Sequence, residues 1–340
     1  MKKYAVSLSL VVACWLSVSG FAPQPVACDE QKTLVLGTYE LDRYNPVTDG
    51  DTIRVWGLRE GIRLLCVDTE ETFKSLDDRK NAGINWDAYQ AAKEADQELP
   101  VKYGTFMGEE AAHFARDFFR GVKEVRLEYD TLSRKKGFFG RHLCYVFATP
   151  AGKDKEANFC VELVRQGYSP YSMKYGHSER FRKEFEAAQK EAREAKRGIW
   201  REKPMGYRDY ETRLAWWGTR GDQIDKYRAQ YAKTANAIEL GNDNTAESLE
   251  ANVGKDVVLF GSVGEHDSVF AREDPPYCVI AAQRDVDVNV RFKSAELIGA
   301  CGPEKLLGYF VIVKGTLQRD GKDWQVLVED AKQFKKAEVK

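Results

Sequence analysis

Short apolar runs separated by turn residues fill the last third of this 340-residue chain and restrict what it can fold into. Five runs of strand length lie at 257–263, 278–282, 286–292, 310–317 and 324–328. A helical stretch at 294–299 divides the third run from the fourth, and Arg319-Asp320-Gly321-Lys322 forms a hairpin turn between the last two. Five short strands with one helix favour a small β-barrel of the oligonucleotide/oligosaccharide-binding (OB) type.

The first two thirds of the chain predict a second core. One core rarely grows beyond about 250–300 residues, so a chain of this length has room for two. Strand patterns occur at 33–36, 52–56, 62–67, 125–129 and 143–148, and helical patterns at 107–120, 159–167 and 179–197. Residues 73–100 form a polar, partly helical insertion. Residues 201–250 carry no strand signal and predict a helical connector, with a helix at 222–238.

These patterns divide the chain into four parts. We expect a signal peptide at 1–20, a first barrel domain at 31–203, the connector at 204–250 and the OB-like barrel at 251–337. Met1-Lys2-Lys3, an apolar run and the small residues before 20 are typical of a secretory signal. The protein is therefore expected to be secreted or periplasmic, with no transmembrane segment in the mature chain. A signal anchor and a lipoprotein processed at Cys14 are the alternatives.

Export would permit disulfides, but the seven cysteines have long and irregular spacings. Cys278 and Cys301 fall in the same C-terminal unit and are the first candidate pair. Cys66 and Cys144 lie within apolar strands, where buried free thiols and disulfides are equally compatible with the sequence.

The charge balance limits the kind of partner. The chain has 52 Lys and Arg against 53 Asp and Glu, whereas a protein that holds nucleic acid by bulk charge is visibly basic. Any nucleic-acid contact is therefore a local site, as in an enzyme that releases its substrate. No stable protein partner is implied.

Acidic residues cluster at the ends of two neighbouring predicted strands. Asp51 begins one strand, and Asp68, Thr69 and Glu71 follow the end of another. Hard divalent cations such as calcium prefer carboxylate, carbonyl and water oxygens, which Asp51, Asp68 and the Thr69 carbonyl would supply. Glu71 lies two residues further on, where it can orient or deprotonate a water molecule.

Two arginines complete the pattern. Arg63 lies in the strand that leads to Asp68, and Arg141 follows a glycine in a basic loop. Planar guanidinium groups clamp two phosphate oxygens at once and stay charged at any working pH, so the pair predicts a clamp for a phosphodiester. Taken singly, each acidic or basic piece is more often a solvated turn or surface charge, and only the ordered set points to chemistry.

The ordered set resembles the staphylococcal nuclease family over residues 35–200. The resemblance rests on Asp-Gly-Asp-Thr at 49–52, Arg-Leu-Leu-Cys-Val-Asp-Thr-Glu-Glu-Thr at 63–72, Lys-Tyr-Gly at 102–104, Phe-Gly-Arg at 139–141, Leu-Val-Arg-Gln-Gly at 163–167 and Gly-Ile-Trp at 198–200. It implies a five-stranded barrel with three helices, calcium dependence and cleavage of DNA, RNA or both.

The resemblance also implies a role for individual residues. Asp51, Asp68 and the Thr69 carbonyl become calcium ligands, and Arg63, Glu71 and Arg141 become catalytic. Asp49 is expected close by, through a water molecule. Phe139, Tyr171 and Tyr175 are the candidate substrate-binding residues, with packing as the alternative role for the two tyrosines.

Three departures from the family pattern affect the expected site. Glu70 replaces a usual proline, which is expected to add negative charge beside the metal and to loosen the turn. Phe139 stands where a tyrosine is common, so it keeps a stacking surface without a hydroxyl. The insertion at 73–100 follows Glu71 directly and is either a surface decoration or a lid.

The sequence therefore favours a hydrolase, a calcium-dependent endonuclease acting outside the cytoplasm. The alternatives are a catalytically weak or inactive nucleic-acid-binding module of the cell envelope and an adhesion or envelope-structural protein. In the C-terminal barrel, the candidates for contact with single strands also have core packing as an alternative role; they are Tyr277, Arg291, Phe292, Tyr309 and Trp324.

Overall fold

The computed structural model describes residues 34–95, 100–137, 139–264, 268–283 and 286–339. Its first sheet has the order β1-β5-β6-β4-β3-β2, with β7 paired to β6. The strands are β1 (Val35–Glu40), β2 (Val47–Asp49), β3 (Thr52–Ile53), β4 (Ile62–Leu64), β5 (Glu124–Glu128), β6 (Leu143–Ala148) and β7 (Ala157–Asn158). The expected signal peptide at 1–20 lies outside the described residues.

This sheet closes on itself. β4 and β6 are parallel, and the other strand pairs are antiparallel. Leu41, which follows β1, and Val55, which follows β3, form an antiparallel β-bridge. Beside it, the Trp56 amide donates a hydrogen bond to the Glu40 carbonyl at 2.8 Å. The bridge joins β1 to β3 and closes the ring β1-β5-β6-β4-β3, which confirms the predicted OB barrel.

Five helices surround the first barrel. They are α1 (Leu76–Ile84), α2 (Trp86–Glu94), α3 (Phe106–Phe118), α4 (Phe159–Arg165) and α5 (Arg182–Glu194). Thr105 caps the start of α3, and its hydroxyl accepts from the Gly108 amide at 2.9 Å. The buried Met107, Ala111 and Ala115 recur at helical spacing; Ala115 joins the barrel core, whereas Met107 packs in a separate cluster with Tyr207 and Tyr210.

The insertion at 73–100 consists largely of α1 and α2 and is packed against the rest of the protein. Tyr89 and Gln90 of α2 are buried. The side-chain amide of Gln90 donates to the Tyr103 hydroxyl at 3.0 Å and to the Gly206 carbonyl at 2.8 Å. The Tyr89 hydroxyl donates to the Gly104 carbonyl at 2.9 Å. These bonds hold the described part of the insertion on Tyr103 and Gly104, before α3, and on Gly206 at the start of the connector.

The connector differs from its prediction in two respects. Its long helix, α6, spans Tyr210–Tyr231 rather than 222–238. It begins earlier because buried Tyr210 and Trp217 extend its apolar face, and it ends before residue 238, where the chain has entered a strand. The expectation that 201–250 contains no strand is wrong. β8 (Ala237–Glu239) pairs in parallel with the first strand of the second barrel, and α7 (Thr245–Glu250) follows it.

The second barrel repeats the strand order of the first. Its strands are β9 (Asp256–Val263), β10 (Val269–Phe270), β11 (Tyr277–Gln283), β12 (Val286–Phe292), β13 (Phe310–Asp320), β14 (Asp323–Val328) and β15 (Phe334–Lys336). β9, β11, β12, β14 and β13 form a ring closed by the β9–β11 pairing. β12 and β14 are parallel, and α8 (Ala295–Cys301) lies between β12 and β13 in the chain. The predicted five strands are confirmed.

The described cysteines are all free thiols: Cys66, Cys144, Cys160, Cys278 and Cys301. The candidate disulfide between Cys278 and Cys301 is therefore absent. Cys278 points into the apolar core of the second barrel, and burial raises the pKa of its thiol to about 12. Within the described residues, no helix has both the length and the apolar character needed to cross a membrane.

Candidate active site

Asp51 lies in the turn between β2 and β3 and is buried. Its carboxylate accepts from the Thr69 amide at 3.0 Å and from the Thr52 hydroxyl at 3.2 Å. The preceding residue, Gly50, allows this approach, because a Cβ there would lie 2.8 Å from the Thr69 side chain. The Asp-Gly-Asp turn thus places a carboxylate against the segment that follows β4.

Arg63 of β4 joins the two acidic pieces predicted from the sequence. Its Nη1 forms an ion pair with Asp51. Its Nη2 lies 2.5 Å from Asp68 Oδ1 and 3.3 Å from the Val67 carbonyl. The two carboxylates therefore converge on one guanidinium at the end of the sheet. The sequence predicted instead that they would converge on a cation, with Arg63 facing it as part of the phosphate clamp.

Lys102 adds a second cation to this group. Its Nζ lies 2.6 Å from Asp68 Oδ1 and 3.7 Å from Glu71 Oε1. Burial by itself would raise the pKa of Asp68, but the charges of Lys102 and Arg63 outweigh it and lower the pKa to about 2. Asp68 is therefore ionised over the whole working range of pH.

Glu71 lies at the open edge of the same group. Its side chain is 30% exposed, and Lys74 approaches it at 3.4 Å. Its backbone is fixed, because the Glu71 carbonyl accepts from the Thr105 amide at 3.0 Å at the start of α3. Glu71 thus combines a held backbone with a carboxylate that water can reach.

Arg141 reaches the group from a hairpin between β5 and β6. Its Nη1 lies 3.4 Å from the Thr52 hydroxyl, which in turn bonds Asp51. Gly140 has φ +74°, a left-handed conformation that favours glycine, and this turn directs Arg141 back toward the barrel. Burial and the positive charge of Arg63 both lower the pKa of Arg141. The two arginines therefore share one network.

The three candidate aromatic residues have different environments. Phe139 is 63% exposed, and the Arg141 guanidinium lies 5.6 Å from its ring centroid. Tyr175 is 57% exposed, and the Arg134 guanidinium lies 4.6 Å from its ring. Tyr171 is buried, and its ring stacks on Phe185. The rings of Phe139 and Tyr175 are exposed, whereas Tyr171 has the alternative role of core packing.

Glu70 does not behave as its position in the motif suggests. Its carboxylate is buried and accepts from the Thr105 hydroxyl at 2.5 Å, the Tyr210 hydroxyl at 2.6 Å and the Tyr207 amide at 3.0 Å. Burial raises the pKa of this carboxyl to about 7, although the three donors oppose the shift. The expected loosening of the turn is wrong, because these bonds tie the 68–71 segment to the start of α6.

Sequence reasoning gave no role to several residues that shape the site. Ser169 is buried, and its hydroxyl accepts from the Asp68 amide at 2.8 Å. Lys102 was part of a recognised motif, so the motif was the available signal. Asp49 was expected close by through a water molecule; in the structure its carboxylate accepts directly from the Asp51 amide at 3.2 Å, which fixes the turn.

The donor set fits one hard cation with few protein ligands. Asp51 and Asp68 are ligands of the required chemistry and converge, and the Thr69 backbone is fixed beside Asp51. Among the described residues, no group of three or more His, Cys, Asp or Glu side chains is arranged to hold a metal. A cation here would therefore need the Thr69 carbonyl and water to complete its coordination.

The candidate residues of the second barrel divide between core and surface. Phe292 is buried in the core. Tyr277 stacks on Phe270 at 4.5 Å, and the Arg291 guanidinium lies 5.2 Å from the Tyr277 ring while donating to Gln325 at 2.7 Å. The two remaining candidates each lie beside a cation: Tyr309 near Lys336, and Trp324 near Arg319.

An OB barrel with carboxylates and arginines converging at its strand ends defines a nuclease-like domain. Sequence comparison agrees, because the family model for staphylococcal nuclease homologues matches residues 61–202. An uncharacterized protein of Methanocaldococcus jannaschii is 31% identical over 156 residues, covering 45% of this chain and 68% of the relative. An uncharacterized protein of Bacillus anthracis is 29% identical over 156 residues, covering 45% of this chain and 58% of the relative. The chain belongs to the staphylococcal nuclease homologue family.

Proposed function

We propose that this protein is a calcium-dependent endonuclease that hydrolyses phosphodiester bonds of DNA, RNA or both. The observation that carries the proposal is the convergence of Asp51 and Asp68 on Arg63, with Arg141 joined to the same network through Thr52. Family membership supports the nuclease class. Calcium dependence and the residue roles rest on the chemistry of these side chains.

The cation would be held by Asp51, Asp68 and the Thr69 carbonyl. Bound calcium would supply positive charge to a phosphate oxygen and make nearby water more acidic. Both carboxylates are paired with Arg63, and Asp68 is also paired with Lys102, so cation binding would exchange one set of positive partners for another. We therefore expect calcium affinity to fall with rising ionic strength.

Hydrolysis would proceed by attack of water on the phosphorus. Glu71 accepts the proton of the attacking water at its carboxylate, the new P–O bond forms, and the bond to the leaving nucleoside oxygen breaks. A proton from solvent then neutralises that oxygen. Arg63 and Arg141 donate hydrogen bonds to the phosphate oxygens as negative charge accumulates there.

Phe139 and Tyr175 are proposed to contact the bases on either side of the scissile phosphate. Both rings are exposed, and each has a guanidinium nearby that can bind a phosphate. Stacking on aromatic faces tolerates any base, so this arrangement favours broad rather than sequence-specific cleavage.

A direct test uses the purified full chain with plasmid DNA and with a structureless RNA. We expect fragments of both or of one substrate in millimolar calcium, and no cleavage after addition of a calcium chelator. Cleavage that continues unchanged in the chelator would overturn the metal assignment. Nucleic-acid binding without cleavage under any divalent cation would show the inactive binding module instead.

We also propose that the mature protein acts outside the cytoplasm, in soluble or lipid-anchored form. The basis is the amino-terminal sequence, which has a basic start and a short apolar run. The proposed division remains a signal peptide at 1–20, a nuclease domain at 31–203, a connector at 204–250 and a second barrel at 251–337. Cell fractionation with mass determination of the mature amino terminus tests both statements, and a cytoplasmic full-length chain would contradict them.

A further inference from the structure

The loop that carries Arg141 is bound by a residue from outside the nuclease domain. Residues on either side of this loop pair with each other. The Leu143 amide donates to the Lys135 carbonyl at 2.9 Å, and the Gly137 amide donates to the Arg141 carbonyl at 2.9 Å. Arg141 therefore moves with a short hairpin, and whatever holds the base of the hairpin also limits where the guanidinium can go.

Asp243 holds that base. Its Oδ2 accepts from the Lys135 amide at 2.9 Å, and its Oδ1 lies 3.3 Å from the Lys136 amide. Its own amide donates to the Ser133 carbonyl at 2.8 Å. A carboxylate that binds successive backbone N–H groups forms charge-assisted bonds of fixed direction. Three bonds at one residue thus attach the hairpin to the turn between β8 and α7.

That turn is anchored in the second barrel. β8 pairs with β9, and the Leu240 amide donates to the Phe260 carbonyl at 2.9 Å. Leu240 and Leu249 are fully buried in the core of the second barrel, on either side of Asp243 in the chain. The Thr245 hydroxyl donates to the Asn242 carbonyl at 2.6 Å and closes the turn. Asp243 therefore presents its carboxylate from a rigid support.

We propose that Asp243 is a positioning residue for Arg141, and that the second barrel serves the nuclease site by holding it. The inference rests on the proposed function for its effect on cleavage, while the clamp itself is independent of any activity. It gives a reason for the second barrel beyond nucleic-acid contact. The matched family region ends at residue 202, so this support comes from a part of the chain that the family model does not cover.

Two measurements on the full chain test the inference. The first is hydrogen exchange at the Lys135 and Lys136 amides, which need no activity to be read. We expect exchange to become at least about tenfold faster in Asp243→Ala, because these N–H groups lose their acceptor. Asp256→Ala is the matched control. It removes an exposed carboxylate of the same barrel that accepts from the Thr316 hydroxyl, and should leave both amides unchanged.

The second measurement is a double-mutant cycle of cleavage rates with Asp243→Ala and Arg141→Ala. We expect Asp243→Ala to lower kcat about tenfold to a hundredfold when Arg141 is present, since a displacement near 1 Å has this effect. In the Arg141→Ala background it should have no further effect. Asp243→Asn, which keeps one acceptor oxygen, should recover part of the rate and serves if the alanine variant does not fold.

The outcomes separate the two proposals. Unchanged amide exchange in Asp243→Ala would overturn the clamp whatever the activity. Faster exchange with an equal loss of kcat in both backgrounds would overturn the link to Arg141. If amide exchange is faster in Asp243→Ala but the wild-type protein cleaves no substrate, the clamp stands and the proposed function is overturned.

Discussion

The two barrels of this protein share one strand order but use it differently. In the first, β3 and β4 have two and three residues, and the parallel pairing of β4 with β6 covers only Arg63–Leu143 and Leu64–Cys144. In the second, the matching pair β12 and β14 runs continuously from Val288–Trp324 to Phe292–Val328. Short strands leave backbone and side chains free at the end of the first barrel, and the candidate site occupies that end.

The polar content of the two interiors follows the same division. The first barrel buries Asp51, Thr52 and Thr69 beside its apolar core, and each has a hydrogen-bond partner. Of the described residues of the second barrel, Ser268 is the buried polar one, and no charged side chain there is buried. A buried charge is tolerated only where it is paired, and in the first barrel Asp51 has that partner in Arg63. The comparison teaches that one topology can serve as a reactive site or as a rigid support.

The largest expected effect is at Glu71. Glu71→Gln keeps the shape of the side chain but removes its ability to accept a proton, so the cleavage rate should fall by about 10²–10⁴-fold. Initial rates on plasmid DNA at saturating calcium measure the loss. In the second barrel, Glu329→Gln removes an exposed carboxylate and should leave the rate unchanged. A rate for Glu71→Gln within twofold of wild type would break the assignment of chemistry to the first barrel.

Arg63 and Arg291 offer a closely matched pair, since β4 and β12 are the third strands of their respective rings. Arg63 contacts two carboxylates, whereas Arg291 contacts Gln325 and the Tyr277 ring. Arg63→Lys keeps the charge but loses the planar fork, and should lower cleavage about 10²-fold. Arg291→Lys should change it less than twofold. Equal losses would show that both barrels handle the scissile phosphate.

Glu70 tests the cost of the buried polar network. Glu70→Ala leaves the Thr105 and Tyr210 hydroxyls and the Tyr207 amide without their acceptor, and should destabilise the protein by about 3 kcal/mol. Asp323→Ala, at an exposed position of the second barrel, should stay within about 0.5 kcal/mol. Urea unfolding followed by tryptophan fluorescence compares the two. A neutral Glu70→Ala would mean that the network does not tie the 68–71 segment to α6.

The smallest expected effect concerns the exposed aromatic rings. Tyr175→Ala should raise KM about fivefold to tenfold with little change in kcat, which corresponds to one stacked base at about 1 kcal/mol. Tyr277→Ala in the second barrel should not change KM for a short oligonucleotide. If it raises KM as much as Tyr175→Ala, the second barrel also binds substrate, and the contrast between site and support must be revised.

Much of this structure could be predicted from local pattern. In the second barrel, β12 alternates buried and more exposed residues, and the turn at Gly321 gives a clear hairpin signal. Helix α3 begins within one residue of its prediction, because its alanines recur at helical spacing and Thr105 caps it. The strand β8 was missed, because three residues at a sheet edge are too few to show a period.

The candidate site, like the fold, was only partly predictable from the sequence. The residue types and order in the Asp51 and Asp68 motifs predicted that the two carboxylates would lie together. In the structure both carboxylates lie against Arg63, which the sequence placed on the far side of a cation. The roles of Glu70 and Asp243 could not be predicted, because each depends on partners more than 100 positions away in the chain. Tyr171 and Tyr175 are both tyrosines after the same helix, and only packing separates the buried ring from the exposed one.

The sequence by itself therefore determined two small barrels and the set of charged side chains at the end of the first. Periodicity and motif order are local properties, and short-range physics is enough to read them. Only the tertiary structure decided that a buried carboxylate would fasten the 68–71 segment to the connector, and that Asp243 of the connector would hold the Arg141 hairpin. These contacts join residues far apart in sequence, and their geometry exists only after both barrels have packed.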